Sequence, residues 1–399
     1  MITVDQADRI IAQNLHDFPT IEKFILESYG CILREDILAD RDLPPFHKSL
    51  MDGIAIKCSS FERGTRKFSI DGVQAAGEAE RQVSENGCVE IMTGAVVPAG
   101  CDVVIPIEQV HIEKGFAIVD GSSAFVPFQF IRRQGEDYKK GAKLLSAGCI
   151  LNAPKLALAA SVGHTQVKVS SVLKIAAIST GDELIAIDAA QIQSFQTRQS
   201  NVHFIKLSLE RTGLFDVVIF HIRDNEKILK HDLEHILKSF DGVVLSGGVS
   251  MGKFDFVPKV LKELGVNILF HQVAQHPGKP FLFGKTKEGK PVFGLPGNPV
   301  STQVCTARYV IRHLQNALGA KAVDEFAVLA ESCSASTKLS IFQPVVIKCE
   351  SNAQLTATPV KGGGSGDFAS VATSDGFVEI PAGRESVERG FVAKLFRWN

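Results

Sequence analysis

The sequence predicts a multidomain protein of α/β plus β class, with a three-layer α/β domain and β-rich units on either side of it. Three observations carry this. Over 172–318, apolar strands alternate with amphipathic helices, the pattern of a parallel sheet covered on both faces. Over 42–130, short β-prone runs alternate with Gly, Pro and Asp turns. From Asp324 onward the chain is β-prone again, around a glycine cluster at 362–366.

The elements follow in order. Thr3 stands at capping-box spacing from Gln6, and Ala7, Ile10, Ile11 and Leu15 recur at helical intervals behind it. A second helix is expected over 20–30, closed by Gly30. The runs 53–57, 67–70, 88–92 and 103–107 read as strands. Helical texture returns near Arg132, and Pro154 opens a short helix that Gly163 closes. The matching texture of 1–41 and 132–170 predicts one elongated N-terminal domain, with a β domain, 42–131, inserted in it. The α/β domain is expected over 171–320. It has strands at 172–178, 217–222 and 242–245, helices at 200–212, 225–240, 256–264 and 299–318, and a hairpin-like stretch before the last helix. A small C-terminal β domain over 324–399 completes the chain.

Composition excludes several classes. The 399 residues fit two to four domains at about 100–200 residues each. Hydrophobic residues at 45% and charged residues at 22% suit globular cores and exclude wholesale disorder. Lys+Arg 43 against Asp+Glu 44 argues against a general nucleic-acid binder. The first residues lack the basic and apolar regions of a signal peptide, and glycines and prolines interrupt the least charged stretches. The expectation is a cytoplasmic protein with no membrane segment. The 8 cysteines show no CxxC spacing, which fits reduced thiols better than disulfides or a zinc site.

Three glycine-rich loops follow strands of the α/β domain. The first, 245–252, reads Leu-Ser-Gly-Gly-Val-Ser-Met-Gly and offers Ser246, Gly247, Gly248 and Ser250. Backbone N–H groups at such a strand end bind anions, although an ordinary βα turn needs the same glycines. The second, Ser179-Thr-Gly-Asp-Glu183, places Thr180, Gly181, Asp182 and Glu183 together. Its carboxylates suit Mg²⁺ bridging phosphate oxygens, and a cap by Asp182 is the plainer reading. The third, 294–301, carries Pro296, Gly297, Asn298 and Ser301, with Pro299 at N1 of a helix and Asn298 as its N-cap. The convergence of all three on one sheet edge predicts a phosphate-bearing ligand there. Asp224 and Asp255, at further strand and helix ends, would join Asp182 and Glu183 around a divalent cation, though each alone suits a cap. Lys279, in Pro277-Gly-Lys-Pro280, suits either ligand charge or solvent. In the β unit, Asp52, Thr93 and Asp137 sit in polar turns that need no function to explain them.

Together the ordered motifs PPFHKSLMDG, IMTGAVVPAG, RRQGED, STGDEL, SGGVSMGKFD, PGKPF and GLPGNPVS resemble the MoeA-type molybdenum insertases, the family that includes the C-terminal part of gephyrin. The resemblance spans nearly the whole chain. It implies a four-domain homodimer that reacts adenylylated molybdopterin with molybdate, using Mg²⁺ and releasing AMP. On it, the α/β domain becomes a molybdopterin-binding domain, Asp224 and Asp255 become metal ligands, and Asp52, Thr93, Asp137, Glu183 and Lys279 become catalytic candidates, with Asp52 reaching across the dimer. Thr180, Gly181, Asp182, Ser246, Gly247, Gly248, Ser250, Pro296, Gly297, Asn298, Ser301 and Ser365 become substrate contacts. It also implies passing contact with the adenylyltransferase and with recipient molybdoenzymes, and no nucleic-acid or membrane partner. Three positions depart from the family pattern: His47-Lys48 where Asp-Asn is common, His276 where the first Lys of a KPGKP motif is common, and Pro344 where an Arg often follows Phe-x. The competing functions are a molybdopterin adenylyltransferase and a non-catalytic molybdopterin-binding scaffold.

Overall fold

The computed structural model describes residues 1–120, 124–250, 255–321, 323–362 and 364–398. The motif residues Met251, Gly252, Lys253, Phe254 and Gly363 lie outside the described residues. Two compact units result: Met1–Glu35 with Ala147–Ala153 and Gln166–Asn399, and Asp36–Ser146 with Pro154–Thr165.

In the larger unit, helix Val4–Gln13 begins at the predicted capping box, with Thr3 and Gln6 bonded reciprocally. The helix expected over 20–30 is not formed. Instead, strand Thr20–Phe24 pairs antiparallel with Gln166–Ser170, and a single 3₁₀ turn, Ile25–Glu27, follows. Thr20, Ile21 and Phe24 favour an extended chain, and a distant partner strand, with Thr20 opposite Ser170 and Phe24 opposite Gln166, supplied the hydrogen bonds that settled the choice.

The α/β core has six strands in the order Phe215–Ile222, Leu173–Thr180, Gly242–Ser246, Pro291–Leu295, Leu282–Lys285 and Asn267–Phe270. The first four run parallel, Leu282–Lys285 runs antiparallel to them, and Asn267–Phe270, antiparallel to its neighbour, runs again in their direction. Gly242–Ser246 and Pro291–Leu295 are buried at every residue, as strands covered on both faces must be. Helix Glu226–Ser239 is capped by the Asn225 side chain and buries Leu229, Leu233 and Ile236. The helix expected over 299–318 is continuous, but its middle, Thr306–Ile311, is π-helical. The parallel arrangement places the carboxyl ends Thr180, Ile222, Ser246 and Leu295 on one edge.

The C-terminal residues form a sheet whose pairings close on themselves. Ser340–Cys349 pairs with both Leu355–Pro359 and Gly376–Ile380, and Glu325–Leu329 with Val392–Arg397 completes the ring. A sixth, two-residue strand, Gln275–His276, joins from the α/β core, parallel to Ser340–Ile341.

One buried ionic cluster ties three segments of this unit. Arg308, almost wholly buried, donates from Nη1 and Nη2 to the two carboxylate oxygens of Asp8 at 2.9 and 2.7 Å, and from Nε to Glu379 Oε2 at 3.2 Å. His313 Nε2 lies 3.2 Å from Asp8 Oδ1. Burial alone would raise the Asp8 pKa, but the hydrogen bonds from His313 and Arg308 hold it at about 2. Glu379 shifts upward, because its burial outweighs the single bond from Arg308.

The smaller unit is built on a six-stranded sheet in the order Val103–Pro106, Gly53–Ile56, Gly87–Ile91, Lys67–Gln74, Phe116–Val119 and Val110–Glu113. Ile54, Ile56, Phe68, Cys88, Val103 and Ile105 form its core. Helix Ala153–Ser161 lies where Pro154 and Gly163 predicted it.

Candidate functional site

The carboxyl edge of the α/β sheet opens into a cleft of about 470 Å³. The three glycine-rich loops all line it, contributing Thr180, Gly181 and Glu183, then Ser246, Gly247, Gly248 and Ser250, then Pro296, Gly297 and Asn298. Asp224 and Asp255 line it as well. Asp182 is exposed and is not among the lining residues, but its Oδ1 accepts from the Asp224 N–H at 3.3 Å. Ser301 is buried in the following helix and does not line the cleft. Lys279 is exposed on a turn of which Pro280 reaches the cleft wall.

The glycines have a steric reason. Gly247 has φ +98°, and a Cβ there would lie 2.6 Å from the Thr180 carbonyl oxygen. Gly248 has φ +64°, and a Cβ would meet Thr180 Oγ1 at 2.8 Å. The two loops therefore pack backbone against backbone, which holds the turn N–H groups at the sheet edge.

Asn298 does not act as the predicted side-chain cap. Its carbonyl accepts from the Thr302 N–H, while its amide Nδ2 donates to Ser365 Oγ at 2.9 Å. Ser365 in turn belongs to a second cavity of about 420 Å³, which it shares with His276, Phe342, Gln343 and Pro344. Three positions singled out from the sequence, His276, Pro344 and Ser365, thus share one cavity, and the Asn298–Ser365 hydrogen bond lies between that cavity and the cleft.

The electrostatics of the cleft are those of gathered like charges. Burial, then the charges of Asp182, Glu183 and Asp255, push the Asp224 pKa from 3.8 up to about 6. Among the described residues no three His, Cys, Asp or Glu side chains form a complete metal-ligating group. The set nonetheless fits Mg²⁺, which keeps water and substrate phosphates in its shell and takes only one or two protein carboxylates. A bound cation would relieve the repulsion that raises Asp224.

One wall of the cleft was not anticipated from the sequence. Thr197, Arg198, Gln199, Ser200 and Asn201 line it. Asn201 Nδ2 donates to Ser246 Oγ at 2.9 Å and to the Gly297 carbonyl at 2.8 Å, stitching two of the glycine loops together. The sequence signal was the polar run before the 201–210 helix, which reads equally as a helix entry.

In the smaller unit, Asp52 and Thr93 form a pair. Asp52 Oδ1 accepts from the Thr93 N–H at 2.6 Å and from its hydroxyl at 2.8 Å, and these two bonds lower the Asp52 pKa. Asp137 accepts from Arg132 Nε at 3.1 Å and from Nη2 in an ion pair. The three motifs of this unit adjoin through the backbone. Lys48–Ser49 pairs with Ile131–Arg132, the Gly94 N–H donates to the Ser49 carbonyl, and the Gln134 N–H donates to His47 Nδ1 at 3.1 Å.

A covered, mainly parallel sheet with three glycine loops and a carboxylate cluster at one edge marks out a candidate ligand-binding site of the α/β class. Comparison with known proteins makes this specific. Residues 2–163 match the MoeA N-terminal region (domain I and II), 176–316 a probable molybdopterin binding domain, and 327–395 the MoeA C-terminal region (domain IV). A molybdopterin molybdenumtransferase of Synechocystis sp. is 34% identical over 400 residues, covering 100% of both chains. One from Haemophilus influenzae is 34% identical over 413 residues, covering 100% of this chain and 99% of the relative. The crystal structure of a molybdopterin biosynthesis MoeA protein from Pyrococcus horikoshii superposes with a TM-score of 0.84 at 29% identity, covering 100% and 99% of the two chains. The chain belongs to the MoeA family.

Proposed function

We propose that this protein is a molybdopterin molybdotransferase of molybdenum cofactor biosynthesis, which inserts molybdenum from molybdate into adenylylated molybdopterin and releases AMP. The observation that carries the reading is the cleft itself, where three glycine loops and Asp182, Glu183, Asp224 and Asp255 meet at one sheet edge. The names of the full-length relatives support the same activity.

On this reading the N–H groups of Gly247 and Gly248 and the hydroxyls of Ser246, Ser250 and Thr180 hold the pterin phosphate and adenylate. Asp224 and Asp255 would hold Mg²⁺, and Asp182 and Glu183 would orient water or molybdate. Bound there, Mg²⁺ supplies charge neutralisation on the cleaved phosphoanhydride. Lys279 offsets charge that develops on the departing AMP. Asp224 must be ionised to serve, so uptake of Mg²⁺ by the metal-free protein weakens as pH drops through about 6. Asp52, kept ionised by Thr93, and Asp137, oriented by Arg132, belong to the reaction as residues supplied by a second subunit of a homodimer. Four domains are proposed: 1–41 with 132–170, 42–131, 171–320 and 324–399. No helix among the described residues is long and apolar enough to cross a membrane, and action in the cytoplasm is proposed on the family's biosynthetic role.

The test is AMP release from adenylylated molybdopterin with Mg²⁺, with and without molybdate. Molybdate-dependent release is expected. Pyrophosphate formation from ATP, or tight substrate binding with no AMP release, would replace this reading by an adenylyltransferase or a scaffold respectively. In mixed dimers, Asp52→Ala subunits combined with Asp255→Asn subunits should recover about a quarter to a half of the activity. Absence of recovery places the whole site within one chain.

A further inference from the structure

The turn that carries Lys279 is anchored from behind by a buried polar network that no motif of the sequence announced. Gln275 is fully buried. Its Nε2 donates to the Gly278 carbonyl at 3.1 Å and more weakly to the Pro277 carbonyl at 3.4 Å, and it also contacts Cys305 Sγ at 3.5 Å. Its Oε1 accepts from the Tyr309 hydroxyl at 2.6 Å. Tyr309 is itself fully buried, and its ring stacks at 4.6 Å on Phe281, just past the turn. Gly278 has φ +94°, and a Cβ there would fall 2.7 Å from both Cys305 Sγ and Gln275 Nε2, so the turn is seated directly on the network. The Lys279 carbonyl closes the turn by accepting from the Val273 and Phe281 N–H groups at 3.0 and 2.9 Å.

The location gives this network its meaning. Pro280 lines the cleft, while His276 and Pro277 line the second cavity, so the turn divides the two. Cys305 ends the α-helical stretch Pro299–Cys305, and Tyr309 lies in the π-helical stretch Thr306–Ile311 that follows. Single π turns inside α-helices mark functional positions more often than chance. A buried glutamine needs its donors and acceptor satisfied, and here every named partner belongs to the turn or to that helix.

We propose that Gln275 and Tyr309 are positioning residues that fix the Pro277–Pro280 turn and, through it, the placement of the Lys279 ammonium. This inference rests on the proposed transferase role of Lys279. Neither residue touches substrate. Their effect runs through the backbone carbonyls of Pro277 and Gly278, and small misplacements of a charge-stabilising group are costly to turnover.

The test uses the full chain carrying Tyr309→Phe, which keeps the ring stack and removes one hydroxyl, with Gln275→Leu as a second variant. Hydrogen exchange of the peptide covering 274–282 is expected to accelerate in both, with exchange elsewhere in the chain unchanged. In the AMP-release assay, kcat is expected to fall on the order of 10-fold, with KM for adenylylated molybdopterin within about twofold. Lys279→Ala should then cost much less in the Tyr309→Phe background than in the wild type, because a displaced lysine has less to lose. Effects that multiply fully would show that the network does not act through Lys279. Unchanged exchange at 274–282 would overturn the proposal whatever the activity shows. If the wild-type protein releases no AMP while exchange at 274–282 still responds to Tyr309→Phe, the transferase reading fails and the turn-anchoring role stands.

Discussion

Two carboxylate clusters in the larger unit are built from the same kinds of groups and respond oppositely. Around Arg308, Asp8 is held at about 2 by His313 and the guanidinium, against the effect of its own burial. Around the cleft, Asp224 is pushed to about 6 by burial and by Asp182, Glu183 and Asp255. The first cluster brings its cation within the chain. In the second, every charged neighbour among the described residues that shifts Asp224 is another carboxylate. A cluster built around its own guanidinium acts as a fastener between segments, whereas gathered carboxylates at a cleft suit a cation from outside.

Predictions that break or sharpen this contrast follow from the largest effect to the smallest. Arg308→Leu leaves Asp8 and Glu379 buried without their cation and should cost about 3–5 kcal/mol in urea unfolding. A loss under about 1 kcal/mol would mean that the fastener contributes little to stability. Asp224→Asn should leave that transition cooperative yet lower AMP release on the order of 10²-fold, or about 3 kcal/mol of transition-state stabilisation. Near-normal turnover would remove Asp224 from the metal site.

The third prediction concerns pH and has opposite signs in the two clusters. The folded-state pKa of Asp8 is depressed, so its contribution is present above pH 3.8 and is lost as pH falls toward about 2. The folded-state pKa of Asp224 is raised, so its contribution is present below pH 3.8 and is lost as pH rises through about 6. Metal-free Asp224→Asn protein should therefore be more stable than wild type at pH 7 by roughly 1 kcal/mol, allowing for solvent screening. The difference should disappear near pH 4 and shrink when Mg²⁺ is added. A variant less stable than wild type at pH 7 would contradict the like-charge picture. The smallest expected effect is that of Thr93→Val, which removes one of the two bonds to Asp52 and should lower AMP release a few-fold with little change in stability.

The cleft was legible in the sequence because its parts are local. Strand, glycine turn and helix N-terminus follow one another within about a dozen residues, and the parallel order then brings the turns to one edge. Asp224 and Asp255 were found for the same reason, each lying just past a strand or at a helix entry. What escaped was set by long-range partners. Arg308 and Asp8 are 300 positions apart. Thr20–Phe24 read as helix because its partner strand lies at the far side of the smaller unit's sequence. Asn201 looked like a helix entry, and only the folded loop shows it bonded to Ser246 and Gly297. Asp52 and Thr93 were each singled out, but their pairing across 41 positions became visible only in three dimensions.

The two-residue strand Gln275–His276 sets a limit on modular exchange. It extends the closed C-terminal ring from within the α/β core, parallel to Ser340–Ile341. A chimera that grafts 324–399 onto another carrier inherits the ring without this strand and leaves the Ser340–Ile341 edge open. Conversely, a chain truncated before Asp324 keeps Gln275–His276 with no sheet to join. Recombination within this family should therefore succeed more often when the PGKP turn and the C-terminal ring are inherited together.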